Sequence, residues 1–226
     1  MDFRFYEIWR NPEYVVRLLD GIWLSVWLTV LAGILGFSFA IVLAVTRRSR
    51  KLRVLSWVSA TYIEIIRNTP LIVQLFFIAF GLPLLLGYRW PFEASALLAL
   101  SLNFSAYYAE IVRAGLDNVD TGQTDAYKAL ALPKLKAFIL IVLPQALGKV
   151  YPSLVSQFVF LFLTTGIISE LGIEELTWSG RFIADRTFRD FEVFLLLTLI
   201  YVLLAMMFKA AFHFGGKKFF PWIETK

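Results

Sequence analysis

Residues 22–46 read IWLSVWLTVLAGILGFSFAIVLAVT, a run of 25 positions that contains no charged side chain. About 20 consecutive apolar residues are enough for an α-helix to cross the hydrocarbon core of a bilayer. Arg47 and Arg48 follow the run directly, so its end is marked as clearly as its length. This stretch predicts a membrane-spanning helix and thereby decides the class of the protein.

Four further stretches continue this pattern along the 226 residues. The uncharged runs at 68–88 and 150–169 are long enough to span a bilayer by themselves. Two shorter runs, 94–109 and 193–208, become long enough when their flanks are included. The sequence therefore predicts an all-α integral membrane protein with one transmembrane domain, 1–226, and five spans at about 20–46, 56–82, 92–115, 150–169 and 192–214.

The composition supports the same class of protein. Hydrophobic residues make up 59% of the chain and the mean hydropathy is +0.70, whereas soluble domains are roughly half apolar. The chain has no cysteine and one histidine, His213, which excludes a disulfide framework and a thiolate metal site. The net charge of +5 is explained by basic residues in loops on one side of a membrane, so we expect no nucleic-acid partner.

The distribution of lysine and arginine predicts the orientation in the membrane. If the N-terminus is outside, the inner side carries five lysine or arginine residues in 47–53, five in 113–149 and four in the tail. The outer side then carries seven. Basic residues concentrate on the cytoplasmic side of membrane proteins. We therefore predict a multi-pass protein of a bacterial plasma membrane with its N-terminus outside and its C-terminus in the cytoplasm.

The segment 116–149 is too long for a turn and too apolar for a solvated loop. Asp125 suits the first turn of a helix, and Pro133 can end that helix and begin a second one, which we expect to end near Pro144. The first helix has a small apolar face formed by Ala126, Ala129, Leu130 and Leu132. From these residues alone, an interfacial helix that covers the bundle and a helix that docks a partner remain equally open.

The residues of this loop carry a family resemblance. Asp125-Ala-Tyr127, then three residues and Ala131, then nine residues and Ile141-Val-Leu-Pro144 resemble the EAA loop of the membrane subunits of ABC importers. The chain differs from that pattern in Asp125 for Glu, Tyr127 for Ala and Ala131 for Gly. The preceding Gly122-Gln123 resembles the branch of this family that takes up polar amino acids.

The resemblance extends over nearly the whole chain. Stretches at 62–76, 105–115 and 172–192 resemble the family's second span, the end of its third span and the external stretch before its last span. Four motifs in the right order are far more specific than any one of them. The resemblance implies a five-transmembrane-helix ABC importer permease fold with a cytoplasmic coupling helix that docks the ATPase, and it assigns that role to Gly122, Gln123, Asp125, Ala126, Tyr127, Ala129, Leu130 and Ala131.

The same resemblance implies a set of partners. Two ATPase subunits would bind ATP and Mg, which this chain cannot do itself because it lacks the Gly-x-x-x-x-Gly-Lys-Ser/Thr motif that cradles phosphates. A second membrane subunit, identical or homologous, would complete the route through the lipid bilayer, and an extracytoplasmic binding protein would deliver a polar amino acid. No covalent chemistry and no cofactor are then expected in this chain.

Polar side chains inside the predicted spans are candidates for the substrate route. Glu64 and Arg67 are three residues apart on one helical face, which predicts an ion pair that fixes helix packing near the gate or contacts substrate. Pro70 can kink its helix, and broken helices expose polar groups to midplane sites. Ordinary interhelical hydrogen bonding remains the alternative for the six uncharged route candidates, Asn68, Thr69, Gln74, Asn103, Tyr107 and Gln157.

Two other classes of protein remain as alternatives to the transport subunit. A secondary, ion-coupled transporter usually has internal repeats and a site for the coupling ion, and the sequence contains no repeat. A membrane enzyme would need clustered catalytic groups inside the spans, and no pair of nucleophile and base is visible there. The secondary transporter remains the main alternative.

Overall fold

The computed structural model describes residues 3–49, 51–120, 122–123, 129 and 132–222. These residues contain helices and connecting turns but no strand, as expected for an all-α membrane protein. We label the helices of the described residues in chain order: α1 (Tyr6–Arg10), α2 (Pro12–Arg48), α3 (Arg53–Arg67), α4 (Leu71–Leu86), α5 (Phe92–Asp117), α6 (Lys134–Leu171), α7 (Leu176–Thr187) and α8 (Asp190–Phe219).

Four helices, α2, α5, α6 and α8, are each long and apolar enough to cross a membrane. The helices α3 and α4 qualify as a fifth span only when they are taken together, and they are bent by 108° at the break between them. The second predicted span, 56–82, is therefore not one straight helix. Pro70 lies in the break, where its missing N–H and fixed φ prevent α3 from continuing.

Helix α2 starts eight residues before the predicted boundary and contains 37 residues. Asn11 caps it, because its side-chain oxygen accepts a hydrogen bond from the backbone N–H of Glu13 at 3.0 Å. At a rise of 1.5 Å per residue the helix is about 55 Å long, well beyond the roughly 30 Å of a hydrocarbon core. Its first turns therefore extend out of the membrane-spanning part of the chain.

Helix α6 corrects the predicted structure around Pro144. We expected a short helix to end near this proline and a separate span to begin at about 150, but one helix runs from Lys134 to Leu171. The turn at Phe138–Val142 is π-helical, and the N–H of Leu143 donates to the carbonyl of Phe138. This widened turn lies directly before Pro144, so the helix continues although the proline lacks a donor.

The centre of the molecule is formed by α5, which packs against α2 and α6. Small residues bring the backbones close together. A Cβ atom at Gly36 would lie 3.0 Å from the carbonyl oxygen of Ser101, and one at Gly115 would lie 2.6 Å from that of Ala146. The three helices therefore contact one another through their backbones, in a core filled by side chains such as Leu100 and Phe104.

A second, smaller core forms around α7, and we call this part the α7 lobe. It consists of α1, the first turns of α2, α7 and the first turns of α8, and its buried side chains include Ile8, Leu18, Ile183 and Val193. The extra length of α2 is thereby explained, since residues such as Leu18 are fully engaged in this core.

A buried carboxylate, that of Glu175, fastens the α7 lobe to the spans. Glu175 caps α7 by accepting a hydrogen bond from the backbone N–H of Trp178 at 2.8 Å. Its other oxygen accepts from the hydroxyls of Ser25 in α2 and Tyr201 in α8, each at 3.2 Å. One fully buried side chain therefore joins three helices.

Candidate functional site

The break between α3 and α4 is shaped by side chains that fold back on the end of α3. Asn68 donates through its side chain to the carbonyl of Glu64 at 2.8 Å, and Thr69 donates through its hydroxyl to the carbonyl of Ile65 at 2.9 Å. Pro70 follows in an extended conformation and contributes no donor. Asn68 and Thr69 thus satisfy carbonyls that the end of α3 would leave free.

Gln74 holds the break in place from the other side. Its amide nitrogen donates to the carbonyl of Ile66 at 2.8 Å and to the hydroxyl of Thr69 at 2.6 Å. Its amide oxygen accepts from the side chain of Asn103 in α5 at 2.9 Å. Both ends of this amide are therefore used inside the protein, so Gln74 positions the break and ties it to the central helix.

An open cleft of about 390 Å³ lies at the break, and we call it the break cleft. Helix α3, the break itself, α5 and α6 all contribute to its wall. Four of the six predicted route residues meet there, together with a cation and several apolar side chains: Arg67, Asn68, Thr69, Pro70, Leu71, Asn103, Phe104, Tyr107, Phe160 and Thr164. The cleft can therefore offer a guanidinium, amides, hydroxyls and aromatic rings to one small molecule.

Arg67 does not form the ion pair that we predicted with Glu64. Among the described residues, no ion pair joins these two side chains; Glu64 instead faces Arg47, with 3.9 Å between Nη2 and Oε1. Because α3 ends at Arg67 and Asn68 folds back onto Glu64, the two charges separate. The Arg67 guanidinium lies 5.6 Å from the ring centroid of Tyr107, and it forms part of the cleft wall.

Gln157, the sixth predicted route residue, is not part of the cleft wall. It lies one and two helical turns before Phe160 and Thr164 on the same face of α6, and both of those residues line the cleft. Within the part of the chain that the structure describes, its amide nitrogen is buried without a hydrogen-bond partner. A buried amide group without a partner costs about 1–3 kcal/mol.

We expect Gln74→Leu to collapse the break cleft, because it removes every hydrogen bond that Gln74 makes while keeping a side chain of similar size. The carbonyl of Ile66 and the side-chain amide of Asn103 then lose their partner. This loss should lower the free energy of unfolding by about 2–4 kcal/mol. The measurement is the midpoint of thermal unfolding of the purified protein. Gln145→Leu is the matched control, since that amide makes one long bond near the surface; equal midpoints in the two variants would contradict this role of Gln74.

A second cluster of charges joins α2 to α5 at their C-terminal ends, and we call it the α2–α5 ion network. Glu110 pairs with Arg47 of α2 and with Arg113 of its own helix, the latter at 2.9 Å. Asp117 pairs with Arg48 of α2 and with Arg113, each at 2.9 Å. The two helices are therefore cross-linked by ion pairs where both of them end.

The predicted coupling loop starts directly after this network. Lys149 donates to the carbonyl of Asn118 at 2.5 Å, and Gln145 donates to the side chain of Gln123 at 3.2 Å. Gln123 thus lies at the root of the loop beside α6, Gly122 bonds to the side chain of Asp120, and Ala129 is exposed. The remaining members of the predicted coupling set lie outside the described residues: Asp125, Ala126, Tyr127, Leu130 and Ala131.

Sequence reasoning missed two groups of residues. The aromatic wall of the cleft, Phe104 and Phe160, looks like ordinary apolar sequence, although Phe104 is one helical turn before Tyr107 and shares its face. Arg47 was counted only as a loop charge, and its role in the ion network requires the packing of α2 on α5. The three-residue spacing of Glu110 and Arg113 places both side chains on one face of α5.

Comparison with known proteins gives a consistent result. Residues 19–217 match the family described as "Binding-protein-dependent transport system inner membrane component". A Rickettsia conorii protein named as a glutamine transport system permease protein is 34% identical over 202 residues, which cover 86% of this chain and 92% of that protein. The arginine transport system permease protein ArtQ of Bacillus subtilis is 32% identical over 190 residues, covering 84% and 86%.

The fold is also similar to a solved structure. The crystal structure of an amino acid ABC transporter with histidines superimposes with a TM-score of 0.83 and 30% identity, over 96% of this chain and 100% of the solved chain. Sequence, fold and the order of the motifs therefore agree, and the resemblance found in the sequence is confirmed. This chain belongs to the family of inner membrane components of binding-protein-dependent transport systems.

Proposed function

We propose that this chain is one of two membrane subunits of an ATP-driven ABC importer that moves a polar amino acid across the membrane by alternating access. The family, and relatives named for glutamine and arginine transport, support this assignment. ATP and Mg are bound and ATP is hydrolysed by two partner ATPase subunits, and an extracytoplasmic binding protein delivers the substrate. The second membrane subunit is either a copy of this chain or a homologue.

In this proposal the α7 lobe faces outward and the loop after α5 faces the cytoplasm. The charge distribution supports this orientation, because lysine and arginine concentrate at the ends of α2, α5 and α8. Closure of the ATPase dimer pushes on the loop root at Gln123 and Gln145. The α2–α5 ion network then carries the push into α2 and α5 together, and the cavity between the membrane subunits changes from inward-facing to outward-facing.

The break cleft is the observation on which the substrate assignment depends. A helix broken near a polar cleft is the usual way in which transporters present polar groups to a solute within the membrane. The Arg67 guanidinium supplies the charge that a carboxylate of an amino acid requires. Asn103 and Thr69, held by Gln74, offer further polar groups that orient the solute, and the rings of Phe104 and Phe160 exclude water.

Arg67→Gln should raise the KM for amino acid uptake by about 10- to 100-fold, because a hydrogen bond to a charged group contributes roughly 1.5–3 kcal/mol. Uptake is measured with radiolabelled glutamine and arginine in proteoliposomes that contain the complete transporter, binding protein and ATP. Arg53→Gln, at the opposite end of α3, is the matched control. A KM equal to that of the control would remove Arg67 from the substrate route.

The same proteoliposomes separate the proposal from the secondary transporter. Uptake that requires ATP and ceases without the ATPase subunits supports the ABC importer. Uptake driven by a proton or sodium gradient alone, with this chain as the sole protein in the vesicle, would overturn it.

A further inference from the structure

Arg67 is the one charged side chain in the wall of the break cleft, among the residues that the structure describes. The carboxylate of α3, that of Glu64, does not line the cleft. It faces Arg47 and accepts a hydrogen bond from the side chain of Asn68 at 3.3 Å. A molecule in the cleft therefore meets a wall whose net charge is positive, and this limits the side chains that the carried amino acid can have.

Two hydroxyls in the cleft wall can act only as acceptors toward a bound molecule. Thr69 donates its proton to the carbonyl of Ile65 at 2.9 Å, and Thr164 donates its proton to the carbonyl of Phe160 at 2.6 Å. A hydroxyl has one proton and two lone pairs, so each oxygen keeps at least one lone pair for a ligand. Uncharged acceptors of this kind can hold the α-ammonium group of an amino acid whose carboxylate is bound by Arg67.

Tyr107 provides a further polar group for the side chain of the bound amino acid. Among the described residues its hydroxyl forms no hydrogen bond, so it is able to donate one bond and accept another. The amide nitrogens of Asn68 and Asn103, by contrast, already donate to Glu64 and Gln74. The wall therefore offers a neutral donor and acceptor to a side chain, and both are complementary to an amide.

A third charge on the bound amino acid has no partner in the described cleft wall. The single guanidinium of Arg67 is taken by the α-carboxylate, and the two threonines accept from the α-ammonium. Removing an unpaired charge from water is costly, which disfavours a side-chain carboxylate and a side-chain ammonium alike. The ammonium is disfavoured further because Arg67 repels it. An uncharged side chain avoids both costs.

We propose that the break cleft selects amino acids with an uncharged polar side chain, such as glutamine, and discriminates against lysine, arginine and glutamate. This inference rests on the proposed function, because it names the substrate class of the same cleft. Tyr107 holds the side chain, and Arg67 holds the carboxylate that all amino acids share. Selection therefore takes place in the membrane subunit as well as in the binding protein that delivers the solute.

The test is direct binding to the complex of the membrane and ATPase subunits in detergent, without the binding protein and without ATP. Tritiated glutamine, glutamate and lysine are compared, since their side chains are of similar length. We expect glutamine to bind at least about tenfold more tightly than each of the other two, because their third charge stays unpaired. Lysine or glutamate bound as tightly as glutamine would overturn the selectivity and leave amino acid import in place. Binding of none of the three would contradict the proposed function itself.

Thr164→Asp tests the electrostatic cause, because it places a carboxylate in the cleft wall and keeps Arg67. We expect lysine to bind at least about tenfold more tightly to this variant than to the wild-type complex, through a new ion pair. Thr164→Asn is the matched control, with a side chain of the same size and no charge. Equal lysine binding in the two variants, with glutamine binding and the unfolding midpoint retained, would overturn the proposal. Leu71→Asp and Leu71→Asn make the same comparison elsewhere in the wall, in case Thr164→Asp does not fold.

Discussion

Glu110→Gln should reduce ATP-driven uptake about tenfold or more while ATP hydrolysis continues. The carboxylate of Glu110 lies between Arg47 and Arg113, and its side chain is 18% exposed. Removing the negative charge leaves two guanidinium groups facing each other between α2 and α5. Breaking a buried ion pair costs about 3–5 kcal/mol, and the partial exposure here reduces the expected loss to about 2 kcal/mol. The two helices then no longer move together when the loop root is pushed.

The measurement compares uptake and ATPase rates in the same proteoliposomes, together with the unfolding midpoint of the detergent-solubilised complex. Glu93→Gln is the control, because Glu93 is in the first turn of the same helix, α5, at its opposite end. Uptake, hydrolysis and midpoint that all match the control would exclude the network as a mechanical link. A lowered midpoint with coupled transport would leave Glu110 a structural role alone.

Glu175→Gln should destabilise the α7 lobe and change how its stability depends on pH. The glutamine has an NH₂ group where the carboxylate accepts hydrogen bonds from Ser25 and Tyr201. Leaving buried donors without an acceptor costs about 1–3 kcal/mol in the free energy of unfolding. Glu174→Gln is the matched control, because this neighbouring carboxylate is largely exposed and pairs with Arg17 at the surface.

The sign of the pH effect follows from burial. Removal from water raises the pKa of Glu175 above its usual value, although four hydrogen-bond donors to the carboxylate limit the rise. The folded protein therefore binds this proton more tightly than the unfolded chain, in which the pKa is about 4.3. The contribution of Glu175 to stability grows as the pH falls through the raised pKa and is complete below the unfolded value.

We expect the unfolding midpoint of the wild-type protein to gain a contribution from Glu175 as the pH is lowered. This gain arises between the raised pKa of folded Glu175 and the pKa of Glu175 in the unfolded chain. The gain should be absent in Glu175→Gln and retained in Glu174→Gln. Tryptophan fluorescence includes a signal from the lobe, because the ring of Trp178, one of seven tryptophans, stacks on Phe182 at 5.2 Å between centroids. Parallel pH profiles in all three proteins would show that Glu175 has the same pKa in the folded and unfolded states.

The sequence was most informative where one physical rule dominates. Uncharged runs of sufficient length located the helices, since the bilayer permits few alternatives. Pro70 indicated where α3 would break, because proline lacks the donor that a helix needs. Asn68, Thr69, Asn103 and Tyr107 could be selected because a polar group inside a span is costly and therefore informative.

The features that were missed depend on how helices pack. The spacing of Glu64 and Arg67 predicted a pair, but α3 ends at Arg67 and Glu64 faces Arg47 of α2 instead. Pro144 suggested an interruption that a π-helical turn avoids. The burial of Glu175 could not be predicted from the sequence, because this residue lies in an acidic stretch that resembles a solvated loop.

The unbroken length of α2 has a mechanical consequence. Its first turns are anchored in the α7 lobe through Leu18 and Ser25, and its last turn is anchored to α5 through Arg47 and Arg48. Near its middle, Gly36 presses on the backbone of α5. Because α2 is one continuous helix that contacts α5 at Gly36, it can tilt about this contact as a rigid body. A tilt that moves one end of α2 inward must therefore move the other end outward by a comparable amount.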